Sequence, residues 1–196
     1  MNICVFCSSS NAIGSEYFKL AKELGSLIGQ NHHNLVYGGA NVGSMNELAK
    51  SVQENGGRVT AIMPEFIEIK GLLYNNADEI IITKDMRERK KTMENLSDAF
   101  IALPGGFGTI EEILEILALK QLQVHNKSVI LINYKNHYDS LIELFEQFYS
   151  KKFAKPENRN YYHFCKTAEE AIKYCENYQP VSFIDKWFRV QTEENK

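Results

Sequence analysis

The sequence has no apolar run that reaches the roughly 18 residues of a membrane span, and its opening stretch, MNICVFCSSS, lacks the basic n-region of a signal peptide. A membrane-spanning or secreted product is therefore not expected. It also lacks charge of one sign. Twenty-two Lys and Arg against 25 Asp and Glu leave a net charge of −3 with the signs interspersed, whereas non-specific binding to nucleic acid or to an anionic membrane usually needs a basic face. The expected partner is a small molecule. Four cysteines, Cys4, Cys7, Cys165 and Cys175, suit a reduced, cytoplasmic protein better than a disulfide scaffold. Cys4-x-x-Cys7 invites a redox reading, but such pairs need a helix N-terminus to lower the thiol pKa, and these two fall in and at the end of a strand-like run. There is no Walker A lysine pattern and no G-x-S-x-G elbow. His32-His33 falls at a helix C-terminus and His125, His137 and His163 are scattered, so no metal site is inferred.

What is present is an alternation of short apolar runs and amphipathic helices. Strands are expected at Ile3–Phe6, Asn34–Tyr37, Arg58–Met63, Glu79–Thr83, Ala99–Ala102 and Val129–Asn133. Helices are expected at Ser15–Gln30, Ser44–Asn55, Asp85–Ser97, from Thr109, and at Tyr138–Tyr149 and Thr167–Tyr178. Residues 66–78 have no clear period and read as a loop with a short helix bordering a ligand site. With no repeat, low-complexity tract or linker, the 196 residues fit one domain with a tail from about residue 179. In that tail Phe183–Val190 is apolar enough to pack, and Glu193–Lys196 is expected to fray. The alternation implies right-handed crossovers and an α/β fold: a doubly wound, largely parallel sheet with helices on both faces. In such sheets ligands sit beyond the carboxyl ends of the strands, where the strand order reverses. The serine loop 8–10, the glycine turn 38–43 and the loop 104–109 open on that edge.

The densest signal is Leu103–Glu112, LPGGFGTIEE. An apolar strand leads through Pro104 and the glycines Gly105, Gly106 and Gly108 into a helix. Residues without a Cβ let their backbone N–H groups approach an anion closely and adopt positive φ, and a helix N-terminus adds unpaired donors and partial positive charge. Together these make a phosphate cradle. Thr109 and Glu112 stand in the T-x-x-E relation of a capping box. Capping alone does not explain a carboxylate one turn from an anion site, where it would repel the ligand unless it had chemical work at the adjoining ribose. Glu111 competes for that role. The expected buried stripe is Ile110, Ile113, Leu114 and Leu117, with Glu111 paired to the outer rim beside Glu115. Glu112 is therefore preferred.

The charged run 86–91 separates by spacing. Met86, Met93 and Leu96 define an inner stripe, and Arg89 falls on it at i+3 from Met86 and i−4 from Met93, while Arg87 shares the outer face with Lys91 and Glu94. An inward arginine needs a phosphate or carboxylate partner. The stretch Gly38–Gly43 imitates a dinucleotide fingerprint, but it follows the second strand, and no acidic residue ends the third strand to hold a ribose.

These motifs together resemble the LOG (Lonely Guy) family, cytokinin riboside 5′-monophosphate phosphoribohydrolases that often carry the label lysine decarboxylase. Pro104–Glu112 matches its PGGxGTxxE, Arg89-Lys90 precedes it at the expected place, and FCSSS, VYGGA and QLQVHNK extend the similarity from about Val5 to Phe153. The resemblance implies a modified Rossmann fold, a homodimer, no cofactor, and hydrolysis of the N-glycosidic bond of AMP-like nucleotides to free base and ribose 5-phosphate. It makes Arg89 and Glu112 the catalytic pair. Gly105, Gly106, Gly108 and Thr109 become the phosphate loop, and Ser9, Gly38, Gly39, Met86 and Lys90 become substrate-binding positions. Ser8, Ala40 and Ser44-Met45-Asn46 depart from the family's FCGSS, YGGG and LMG, and Arg87 stands where a histidine is frequent. Those changes touch the pocket walls and so the choice of base. The competing class is a non-catalytic carrier or sensor of a nucleotide or phosphorylated cofactor.

Overall fold

The computed structural model describes residues 1–187. Its strands and helices follow the chain as β1 (Asn2–Phe6), α1 (Ser15–Gln30), β2 (Asn34–Tyr37), α2 (Gly43–Glu54), β3 (Val59–Pro64), α3 (Glu65–Glu68), β4 (Glu79–Thr83), α4 (Met86–Leu96), β5 (Ala99–Ala102), α5 (Phe107–Gln121), β6 (Ser128–Ile132), α6 (Asp139–Ser150), β7 (His163–Cys165) and α7 (Ala168–Asn177). Every strand pairing is parallel, and the order is β4-β3-β2-β1-β5-β6-β7. The order reverses between β1 and β5, where Cys4 is in register with Phe100 and Phe6 with Ala102. A crevice opens there at the carboxyl edge.

Alternation along β1 sorts the core into two layers. Ile3 and Val5 pack with residues of α1, α2 and α7, whereas Cys4 and Phe6 pack with Met93 of α4 and Ile113 and Ile116 of α5. Because both faces are covered, the central strands β1, β2, β5 and β6 are apolar on both sides beyond a polar first residue at Asn2, Asn34 and Ser128. No helix among the described residues is long and apolar enough to cross a membrane.

Several local expectations are corrected. α5 begins at Phe107 with Gly106 as its N-cap, so Thr109 lies inside the first turn and Thr109–Glu112 is not a capping box. A capping arrangement does occur at α4: Asp85 Oδ1 accepts from Arg87 N and Glu88 N, each at 2.9 Å, and Glu88 Oε2 accepts from Lys84 N at 2.8 Å. The buried face of α5 is Thr109, Glu112, Ile113, Ile116 and Lys120, while Leu114 is exposed. On α4, Glu94 is buried and Leu96 exposed, the reverse of the expected stripe. β7 and a 3₁₀ turn at Pro156–Tyr161 have no counterpart among the expected elements; three residues of strand with one buried position give too little periodicity to read. In the tail, Phe183 meets Tyr161 edge to face at 6.1 Å, and Trp187 is exposed. The expected fraying of Glu193–Lys196, with residues 188–192, lies outside the described residues.

Candidate active site

Three strand ends bring the site together. Arg89 leaves α4 toward the sheet and is 5% exposed. Its Nε donates to the Ile62 carbonyl of β3 at 3.1 Å, and its Nη1 donates to Glu112 Oε1 of α5 at 2.6 Å. Its Nη2 lies so close to Gly38 that a Cβ there would overlap it. Gly38 therefore makes room for a guanidinium; this is a packing reason for glycine, not a conformational one. The planar fork fits three separate elements at once, a task a lysine ammonium does not share.

Glu112 is 7% exposed. Burial pushes its carboxyl above the ordinary glutamate range, and the Arg89 charge opposes that rise without cancelling it. The pair is thus a carboxylate of raised basicity in a fixed position. Glu111, the competitor, is exposed and is held with Glu115 by the Lys90 ammonium, at 2.5 and 2.7 Å. Spacing groups Glu111 with Glu115 on the outer rim, and it is Lys90 that joins them.

The crevice is a cleft of about 550 Å³. Of the expected site residues, Ser9, Gly38, Met86, Arg89, Gly106, Gly108, Thr109 and Glu112 line it. Gly39 lies behind the wall in the β2 turn, with φ +80°, and Gly105 faces Thr109 and a neighbouring cavity. Lys90, in the ion pairs just described, does not line the cleft; it lines a different cavity with Arg87, Glu115 and the other side of Glu112. Phe66, Ile67, Lys70 and Leu72 come from the irregular segment and complete one wall. Phe107, at the first position of α5, is 98% exposed at the mouth. Sequence reading passed over Phe107, although it is the variable position of PGGxGT, and over His137, which lies beside Gly105 but 32 residues away.

The N-terminus of α5 has no side-chain cap. An added Cβ at Gly106 or Gly108 would meet nothing within 4 Å, so neither glycine is there for packing. Their φ angles are not positive either: among the described residues the positive-φ glycines are Gly39, Gly43, Gly56 and Gly71. The freedom to adopt positive φ goes unused in this loop, and clearance for an approaching group is what these glycines leave. Cys4 and Cys7 are buried free thiols, and burial pushes both well up, the opposite of a redox-active pair. No group of acidic, histidine and cysteine side chains among the described residues is arranged to hold a metal ion.

Known proteins resemble this one in fold and in sequence. Solved structures that superpose include the molybdenum cofactor binding protein of Rippkaea orientalis, at a TM-score of 0.68 and 24% identity over 89% of this chain and 94% of that one. The molybdenum cofactor carrier protein of Chlamydomonas reinhardtii superposes at 0.66 and 21% over 89% and 95%. At such identities the likeness concerns the fold alone. A family model described as "Possible lysine decarboxylase" matches residues 45–175. The cytokinin riboside 5′-monophosphate phosphoribohydrolase LOG5 of Arabidopsis thaliana is 38% identical over 180 residues, 92% of this chain and 79% of its own. The enzyme of the same description from Rhodococcoides fascians is 38% identical over 172 residues, 87% of each chain. The chain belongs to the LOG family of phosphoribohydrolases.

Proposed function

We propose that this protein is an N-glycosyl hydrolase of AMP or N6-substituted adenosine 5′-monophosphates, releasing the free base and ribose 5-phosphate. The observation that carries the reading is the buried Glu112 carboxylate, fixed by Arg89 at 2.6 Å beside an uncapped helix N-terminus. The cradle would take the 5′-phosphate and so fix C1′ near Glu112. As the C1′–N9 bond breaks, its electron pair leaves with the base and positive charge develops on the ribose. A preorganised carboxylate stabilises that charge. Water then bonds to C1′ through its oxygen and keeps one hydrogen as the new hydroxyl; Glu112 takes its other proton, which passes on to the departing base and so regenerates the carboxylate. Arg89 orients Glu112 and supplies positive potential but no proton. The mechanism uses side chains and backbone alone.

The Phe66, Ile67 and Leu72 wall supports an adenine, with or without an apolar N6 substituent, as the leaving group. Exposed Leu114, Leu122 and Val124 support a homodimer, checked by sedimentation. The four free thiols support a cytoplasmic setting.

The test is incubation of the protein with AMP and with isopentenyladenosine monophosphate, with chromatography for base and an assay for ribose 5-phosphate. Equal amounts of both products are expected, and their rates rank the two bases. Tight nucleotide binding by calorimetry with no free base would make the protein a carrier or sensor instead.

A further inference from the structure

A second cavity of about 330 Å³ adjoins the cradle, between the loops after β1 and β5 and the turn that starts α6. His137 stands in its wall. Its Nε2 lies 3.0 Å from the Gly105 carbonyl oxygen and 3.3 Å from the Gly105 nitrogen. Protonated, Nε2–H donates to the carbonyl; unprotonated, Nε2 accepts from the Gly105 N–H. Either tautomer holds the same residue. The neighbouring Tyr138 hydroxyl, buried, donates to the Leu103 carbonyl at 2.6 Å. Two consecutive side chains thus clamp the residues on both sides of Pro104.

The turn that delivers His137 is built under strain. Lys135 and Asn136 both take left-handed backbone conformations, φ 51° and 62°, which non-glycine residues rarely adopt. Asn133 closes the turn: its Oδ1 accepts from Tyr138 N at 2.7 Å and its Nδ2 donates to Asp139 Oδ1 at 2.8 Å. The imidazole then rests edge-on against Tyr138 at 4.8 Å and Tyr17 at 6.5 Å. Strain of this kind persists where the surroundings over-determine it, and here its result is the placement of one imidazole on the cradle.

We propose that His137 is a positioning residue for the cradle: it fixes the Gly105 peptide so that the backbone N–H groups of residues 106–108 are ordered before a phosphate monoester arrives. A loop of glycines left to itself would have to be ordered on binding, at a cost in affinity. The inference rests on the proposed function for its choice of anion.

Calorimetric titration of the full chain with ribose 5-phosphate and with inorganic phosphate, run beside steady-state base release, tests it. His137→Phe keeps the ring against Tyr17 and Tyr138 but loses the hydrogen bond. Ribose 5-phosphate binding should weaken about tenfold, the scale of one lost hydrogen bond, and KM should rise similarly with kcat and melting temperature little changed. His137→Gln, whose amide reaches a similar distance, should restore binding. Wild-type affinity in His137→Phe overturns the proposal. So does equal loss in both variants with an equal fall in melting temperature, which would make the ring a packing element only. Absence of ribose 5-phosphate binding in the wild type overturns it too. Binding without base release would overturn the hydrolase reading while leaving the His137 comparison to be decided by calorimetry.

Discussion

Two glycine turns leave parallel strands at the same edge of the sheet, Gly38–Gly43 after β2 and Pro104–Gly108 after β5, and they use glycine for opposite ends. In the first, the donors at the start of α2 are already engaged: Gly43 N donates to Asn11 Oδ1 at 2.8 Å and Ser44 N donates to the Ser8 carbonyl at 2.9 Å. Gly43 is packed so tightly that a Cβ would sit 2.5 Å from the Ser8 oxygen. This turn closes on the β1 loop and serves the site indirectly, through the room Gly38 leaves for Arg89. In the second, Gly106 and Gly108 face open space, and no side chain caps α5. Glycine count alone therefore says little about anion binding. What separates the two turns is whether the helix donors already have partners inside the protein.

The largest effect should come from the carboxylate that only the second turn has beside it. Glu112→Gln should retain nucleotide binding and lose about 100- to 1000-fold in kcat; near-normal base release would remove Glu112 from the mechanism. Gly38→Ala should drive Arg89 from its place and cost on the order of 100-fold in kcat, the scale of a misplaced catalytic group, with Glu112 left chemically intact. Unchanged kcat would mean that the guanidinium can swing without consequence. Gly43→Ala should act on folding instead, lowering stability by about 1–3 kcal/mol through a strained left-handed backbone, seen in thermal melts, with kcat per folded molecule preserved. Gly106→Ala should invert that result: melting temperature unchanged and KM raised roughly tenfold as a methyl enters the ligand's space. Last, the acid limb of kcat/KM should lie above the ordinary glutamate value. Glu112 acts ionised and its pKa is raised by burial, so activity falls with pH before an ordinary glutamate would protonate. A limb at or below that ordinary value would point to another group.

The strand pattern and the edge at which the loops gather were legible because apolar runs of four to six residues alternate with helical periods. The inward aim of Arg89 was legible from its place between Met86 and Met93, and the preference for Glu112 over Glu111 from helical spacing; that the two belong together came only from the resemblance to the LOG family. Long-range consequences were not legible. That Gly38 yields space to Arg89, and that Lys90 joins Glu111 to Glu115 rather than facing the cleft, depends on how α4 crosses the sheet, which no local period records. The start of α5 was misplaced because T-x-x-E imitates a cap, when a glycine ahead of Phe107 already served. β7 escaped because its strand character comes from pairing with β6, not from its own three residues.

The strand order also has a kinetic side. β1 through β4 pair with sequence neighbours, Ile3 with Leu35 and Leu35 with Val59, so that half of the sheet can zip along the chain. β5 must instead return to β1, pairing Ala99 with Ile3 across the intervening units, and only that closure brings the cradle against the β1 loop. Long-range parallel pairing is slow because loop entropy is lost before contacts repay it. During refolding, secondary structure in the first half should therefore recover before enzymatic competence, and the Arg89–Glu112 pair would report the last long-range step in the assembly of the sheet.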